Sequence, residues 1–345
     1  MRVLMLLLLV LSLPLPVSAL ELQPPQVPDS AMARMPETTD SFSRGLTELL
    51  RKALGNLRPD LQEGSRIAAA IVSCAVTVSV LQSLSGSAKQ AAATAGVLTE
   101  ASLLLSGTES LIRLGSDTIR QLSEYGKLLL PVMTAALAAE GGTAASAALY
   151  TGTAAFDLIL SALISRLLVP GVYVFLALSV SAAAAGSDLL KKFRDLIRQA
   201  TGWTLKTLLS VYTAYMSLSG VITGTTDAVA LKAAKMTIST FVPVVGGILS
   251  DASEAVLVSA SLVKNAAGVY GILALLAVFL APFLTIAVHY LLMKLTAALC
   301  SLLGAPHLTD LTADFSTAMG LLLAMTGSVC LLQLISTVCF LKGIR

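Results

Sequence analysis

Residues 265–293 read NAAGVYGILALLAVFLAPFLTIAVHYLLM and contain no Asp, Glu, Lys or Arg. About 20 such residues, folded as a helix, cross the ~30 Å hydrocarbon core of a bilayer. A helix also satisfies every backbone N–H and C=O group within the segment, which hydrocarbon requires. Further uncharged runs of at least 20 residues lie at 67–88, 167–187, 207–226 and 315–341. The pattern predicts an all-α, polytopic helical membrane protein.

The composition agrees with this class. Of 345 residues, 56% are hydrophobic, and the mean hydropathy is +0.84. Only 12% are charged, about half of the roughly 25% found in an average soluble domain. The 23 basic and 20 acidic residues give a net charge of +3. This balance is too even to indicate nucleic-acid binding.

The N-terminus has the pattern of a secretory signal. Arg2 precedes an apolar run at 3–13, and Val17-Ser18-Ala19 offers small residues at a cleavage site. We predict a cleavable signal peptide at 1–19, with an uncleaved first membrane helix as the alternative. Residues 20–66 then form a polar extracytoplasmic lead that includes an amphipathic helix near 43–58. This helix either packs on the membrane part or lipid surface, or docks an extracytoplasmic partner.

The remaining chain, 67–345, is predicted to be a multi-span helical membrane domain. Two weaker span candidates, 128–149 and 238–263, contain acidic residues. Region 91–112 is more polar, and we expect it to form a cytoplasmic or re-entrant helix. Seven transmembrane helices satisfy these patterns, at about 67–86, 128–149, 167–186, 205–223, 240–262, 267–288 and 317–340.

Positive charge predicts the orientation. Segment 188–206 is rich in Lys and Arg, and we expect it and the C-terminal tail in the cytoplasm, with the N-terminus outside. Residues 188–199 are also amphipathic. Their basic side chains predict an interfacial helix that attracts anionic lipid, or else an ordinary positive-inside loop. These candidate interfacial residues are Lys191, Lys192, Arg194 and Arg198.

The sequence lacks the common catalytic and metal-binding patterns. Its four cysteines and two histidines show no metal-ligand spacing, and no phosphate-binding loop is present. We therefore predict no catalytic residue, cofactor or metal. Small-residue pairs such as Gly220 and Gly224 permit close helix approach within the chain or in a homo-oligomer.

Acidic residues at predicted membrane depth are the costly feature. Such groups usually face a bundle interior or a water-filled cavity. They predict a polar path or a subunit interface, unless a helix broken at Pro243 simply exposes its acidic part to water. The candidate residues are Glu140, Asp251, Glu254, Lys264 and Asn265.

One stretch resembles a known family. Residues 241–257, FVPVVGGILSDASEAVL, and 264–271, KNAAGVYG, resemble the stage III sporulation protein AE family of endospore-forming bacteria. The order of signal, polar lead and multi-span part is also similar. The resemblance implies a non-enzymatic membrane subunit of the channel between mother cell and forespore. It implies a location in the mother-cell-derived membrane around the forespore. The implied partners are other channel subunits, including a separate ATPase, ring-forming proteins and a forespore membrane protein.

Two other functions remain open from the residues alone. An autonomous transporter or permease would use Glu140, Asp251 and Glu254 as coupling carboxylates. It would be expected to contain an inverted repeat, and none is convincing. An intramembrane enzyme would need a paired nucleophile and base or a metal cluster, and the sequence displays neither.

Overall fold

The computed structural model describes residues 27–36, 41–84, 89–139, 143–218 and 266–343, and every regular element in these ranges is helical. The prediction of an all-α protein is therefore confirmed. A single turn at Asp29–Met32 precedes eight helices in the described ranges. They are α1 (Phe42–Gly55), α2 (Leu57–Leu84), α3 (Lys89–Ala139), α4 (Thr143–Leu163), α5 (Val169–Ala185), α6 (Asp188–Leu218), α7 (Ala266–Leu302) and α8 (Pro306–Gly343). A π-helical segment, Ile164–Leu168, joins α4 to α5, and together the three form one continuous helical rod.

Helices α7 and α8 form a central hairpin. The turn between them includes Gly304, whose φ of 72° suits a residue without a side chain. Ser316 Oγ of α8 donates to the Tyr290 carbonyl of α7 over 3.1 Å. Helix α8 is buried on nearly every face from Phe315 to Phe340 and contacts α3, α4, α5, α6 and α7. A helix that is apolar all round is expected in such an enclosed position.

The other helices surround this hairpin with alternating directions. The α2 helix runs parallel to α7, while the rod of α4 and α5 runs antiparallel to α8. Helices α3 and α6 run parallel to α8. Two contacts along each helix establish these directions, namely Asp60–Thr285 and Ser79–Leu303 for α2, Glu100–Thr312 and Gly126–Gln333 for α3, Asp157–Gln333 and Ser179–Asp314 for α4 and α5, and Arg194–Asp314 and Tyr212–Ser336 for α6.

The amphipathic helix predicted near 43–58 is present as α1. Its Gly45 lies so close to Leu273 of α7 that an added Cβ would be 2.7 Å from Leu273 Cδ1. Lys52 pairs with Glu48 at 2.8 Å and donates to the Met35 carbonyl at 2.9 Å. The helix thus packs on the membrane part, as the first of the two interpretations expected.

Four helical stretches in the described residues are long and apolar enough to cross a membrane. These are Phe42–Gln82, Leu149–Ala185, Gly268–Leu302 and Pro306–Phe340. Of the predicted spans, 317–340 lies wholly within these stretches, 167–186 and 267–288 lie within them except for one residue each, and 67–86 lies within them as far as Gln82. The remaining predicted spans are not isolated helices in the described residues. Span 128–149 runs from α3 into α4 across residues outside the description, 205–223 continues beyond the described part of α6, and 240–262 lies wholly outside it. The count of seven stays a prediction, as does the signal peptide at 1–19, which also lies outside the described residues.

Region 91–112 is not a separate helix. It belongs to α3, a single helix of 51 residues, which is about 76 Å long at 1.5 Å per residue. Its polar residues indicated a segment outside the membrane. A helix packed on neighbours, however, needs only one apolar face to stay within a bundle.

The bundle separates segment 188–206 from the C-terminal end of α8, although we predicted a common side for segment 188–206 and the tail; their membrane sides stay a prediction. Lys191 and Arg194 contact Asp310 and Asp314, which lie at the beginning of α8, whereas the tail follows its end. The helix between these aspartates and Gly343 is about 44–50 Å long. Because nearly all of α8 separates them, the basic segment and the C-terminal end of α8 lie at opposite ends of the bundle.

Candidate functional site

The five residues predicted to form a polar path or interface cannot be placed. Glu140, Asp251, Glu254, Lys264 and Asn265 lie outside the described residues. The polar site that the structure does describe is the set of side chains joining α8 to its neighbours, which we call the α8 contacts.

The first of the α8 contacts involves the predicted basic helix. Arg194 of α6 turns inward, and its Nη1 lies 2.6 Å from Asp314 Oδ2, with both side chains less than one-fifth exposed. Arg194 also donates to Asp195 at 3.1 Å. Burial lowers the pKa of the Arg194 guanidinium, but the two carboxylates outweigh burial and raise it above its ordinary value. Arg194 therefore stays charged and holds α6 to α8.

The other basic residues of this helix are more accessible. Lys191 Nζ lies 3.8 Å from Asp310 of α8. Arg198 makes a long surface ion pair with Asp195 at 4.0 Å. The Lys192 side chain is exposed. Beside them, α6 presents an outward apolar stripe. Its members are Leu189, Phe193, Leu196 and Trp203, each more than half exposed. An exposed apolar stripe beside free cations fits an interfacial helix. Contact with lipid stays a prediction.

A second contact joins α3 to the beginning of α8. The Thr312 hydroxyl donates to Oε1 of Glu100, and Glu100 is completely buried. The same hydroxyl also lies 3.0 Å from the Leu308 carbonyl of its own helix. Oε2 of Glu100 has no hydrogen-bond partner among the described residues. Thr312 is thus the side chain that compensates this carboxyl for its burial.

A third contact joins three helices near the end of α8. Asp157 of α4 accepts hydrogen bonds from Gln333 Nε2 of α8 at 2.7 Å and from Ser123 Oγ of α3 at 3.2 Å. The Asp157 side chain is buried, and its Oδ2 has no partner in the described part of the chain. Gly126 leaves room for the Gln333 amide, since a Cβ there would lie 2.2 Å from Gln333 Nε2.

The Tyr212 side chain completes the set one turn further along. Its hydroxyl bonds to Ser336 of α8 and lies 3.4 Å from the Leu332 carbonyl. Its ring meets that of Phe156 edge-on, with the centroids 5.1 Å apart. The α8 contacts therefore hold one enclosed helix against α3 and α6 near its beginning and against α3, α4 and α6 near its end.

These contacts join helices to one another. Within the described ranges no three His, Cys, Asp or Glu side chains lie together as metal ligands would. The four cysteines, Cys74, Cys300, Cys330 and Cys339, are free thiols. What the geometry offers chemically is a set of buried hydrogen bonds and one partly buried ion pair.

Sequence reasoning missed Asp157 as an important residue. It is the single formal charge between 141 and 165, and a lone acid in an apolar stretch is a recognised signal for a functional or structural polar contact. Glu100 lies in the polar region 91–112, and no role was predicted for it. The partners of both acids, Gln333 and Thr312, are distant in sequence and gave no signal.

Comparisons with known proteins place these observations in a family context. A family model described as stage III sporulation protein AE matches residues 32–342. A curated relative from Bacillus subtilis (strain 168), named stage III sporulation protein AE, is 26% identical over 203 residues. The match covers 59% of this chain and 51% of the relative, so the chain spans about half the length of that protein. No solved structure matches.

Proposed function

This chain belongs to the stage III sporulation protein AE family, and on that basis we propose that it is a membrane subunit of the channel between mother cell and forespore. Its role in this proposal is structural or transporting, without catalysis of its own. The match over nearly the whole chain, residues 32–342, is the observation that carries the proposal. The long apolar helices support a multi-pass location in the mother-cell-derived membrane around the forespore.

The proposed orientation combines the predicted signal peptide with the bundle geometry. Cleavage after Ala19 would leave α1 outside the mother-cell cytoplasm. The beginnings of α3, α6 and α8 lie at the opposite end of the bundle, which would then be cytoplasmic. The basic residues at the start of α6 agree with this side. The end of α8 would lie outside, which reverses the predicted side of the C-terminus.

The proposed partners follow from the family. They are a separate ATPase, ring-forming proteins and a forespore membrane protein, and copies of the chain itself are a further candidate. The name of the Bacillus subtilis relative refers to sporulation, and the partners are part of this proposal.

A deletion and a pull-down in the source organism test the proposal. Removing the coding sequence is expected to reduce heat-resistant spores, and a plasmid copy should restore them. The tagged protein, extracted from sporulating cells in a mild detergent, should bring the ATPase and the ring-forming proteins with it. An equally tagged multi-span membrane protein of the same cells serves as the control. Normal spore numbers together with a partner-free oligomer would contradict the proposal and favour the autonomous transporter.

A further inference from the structure

Helix α3 presents an outward face that is polar along much of its length. Six exposed charged residues follow one another at spacings of three or four, so they share one side of the helix. We call this side the polar face, and its charged members are Glu109, Arg113, Asp117, Arg120, Glu124 and Lys127. Ser106 and Ser110 extend it toward the beginning of the helix and are also exposed.

The polar face lies at the depth of the two most apolar helices. Gly115 sits on the opposite side of α3, where an added Cβ would lie 3.5 Å from Ile286 Cδ1 and 3.6 Å from Leu322 Cδ2. Ile286 is near the middle of the candidate span Gly268–Leu302, and Leu322 is near the middle of Pro306–Phe340. Arg113 and Asp117, which flank Gly115, are therefore at the centre of the membrane when α7 and α8 cross it.

Lipid cannot cover such a face. The six charges extend over about 27 Å of helix, close to the ~30 Å thickness of the hydrocarbon core. A charged side chain at the centre of a membrane helix costs about 2.5–3.5 kcal/mol even on the most lenient scale. The ion pairs Glu109–Arg113 at 2.6 Å and Asp117–Arg120 at 3.1 Å are highly exposed, and such pairs contribute only about 0–1 kcal/mol.

The outward faces of other helices differ in kind. Leu158 and Ile159 on α4, and Leu291 and Leu295 on α7, are exposed apolar residues suited to lipid. The start of α2, which contacts Thr285 of α7, also exposes Arg58, Glu63 and Arg66 at this depth. The described outer surface thus combines apolar faces on α4 and α7 with polar surface on α2 and α3, and the polar surface of α3 is the longer of the two.

We propose that the polar face of α3 lines a water-filled path across the membrane for small hydrophilic solutes. The proposal deepens the channel role and rests on it, since it requires α7 and α8 to be embedded in the membrane. The face carries three acidic and three basic side chains in alternating order. It therefore offers hydrogen bonds and both signs of charge, and it favours polar solutes without a strong preference for anions or cations.

Cysteine accessibility tests the path. Single cysteines are placed at Ser106, Ser110, Asp117 and Glu124 in full-length protein whose four native cysteines are replaced by alanine, and the variants are reconstituted in liposomes. The matched controls are L158C and L295C on the apolar faces. The probe is a positively charged, membrane-impermeant methanethiosulfonate. Because the reagent and the reactive thiolate both need water, we expect polar-face positions to react at least about ten-fold faster than the controls.

Three results would overturn the proposal. Protection of D117C to the level of L158C would mean that protein or lipid covers the face. A D117C disulfide between two copies, combined with that protection, would make the face an interface between copies. Equal and fast reaction of L158C and L295C would mean that the bundle is not embedded in the membrane.

The design separates folding and function from accessibility. Each variant must elute from size exclusion as the parent does. Should charged positions fail this control, S106C and S110C still test the face, because serine and cysteine are nearly the same size. A successful pull-down with protected cysteines would contradict the water-filled path and support the role as a channel subunit. Reactive cysteines in a protein that captures no sporulation partners would support the path and contradict the role as a channel subunit.

Discussion

Replacing Gly126 by alanine tests the three-helix contact at Asp157. The added methyl group would lie 2.2–2.3 Å from three atoms of the Gln333 amide, so that amide must move. Its movement breaks the 2.7 Å hydrogen bond to Asp157 and leaves this buried carboxyl with Ser123 alone, at 3.2 Å. The perturbation therefore reaches three helices through one small change on α3.

The magnitude combines three effects. A lost hydrogen bond to a charged group costs about 1.5–3 kcal/mol, and overpacking adds about 1–3 kcal/mol. Alanine in place of glycine in a helix interior returns about 1 kcal/mol. We expect Gly126→Ala to lower stability by about 1.5–5 kcal/mol, which for a chain of this length is a fall in Tm of about 2–7 °C.

The assay is thermal unfolding of the purified protein in mild detergent. The measured quantity is the fraction of protein that remains monodisperse at each temperature. Gly202→Ala is the matched control, because no atom lies within 4 Å of its added Cβ in the interior of α6. It should be neutral or stabilising by up to about 1 kcal/mol. In a Gln333→Ala background, Gly126→Ala should lose its cost. If Gly126→Ala behaves like Gly202→Ala in the parent protein, the reasoning about this contact is refuted.

Three further predictions use the same protein. Thr312→Val removes the hydroxyl that donates to Glu100 and should lower stability by about 1–3 kcal/mol. The control is Thr317→Val, which should cost less because, among the described residues, the Thr317 hydroxyl bonds only to a carbonyl of its own helix. Equal losses of stability in thermal unfolding would contradict the contact between Thr312 and Glu100. Arg194→Met leaves the Asp314 carboxylate of α8 without its cation and should lower stability by about 3–5 kcal/mol. Lys192→Met, at an exposed position, should be near neutral. Similar melting points for the two variants would contradict the ion pair. Reporter domains that distinguish cytoplasm from exterior, placed between α7 and α8 and after the last residue, should report opposite sides, and agreement between them would disprove the bundle orientation.

Sequence reasoning reached the helical class and much of the span pattern because both depend on local composition. Uncharged runs such as 265–293 and 315–341 are long enough to require a helix in hydrocarbon, whatever they pack against. The amphipathic helix near 43–58 was predictable for the same reason, since its periodicity is contained in the segment itself.

The course of α3 was not predictable from hydropathy, which averages over all faces of a helix. Glu109, Arg113 and Asp117 lower the average, although the opposite side of the helix packs against α7 and α8. The separation of segment 188–206 from the end of α8 was not predictable for a related reason. The contact that shows it joins Arg194 to Asp314, 120 residues further along the chain.

The enclosed position of α8 has a consequence for the order of synthesis. The helix at the centre of the bundle leaves the ribosome after the described helices that surround it. Until it arrives, Glu100, Asp157 and Arg194 face a space without their partners from Thr312, Gln333 and Asp314. Insertion of α8 is therefore the step that gives these three buried or half-buried groups their partners. A chain that stops before Pro306 would leave them unpaired, at the cost that unpaired buried polar groups carry.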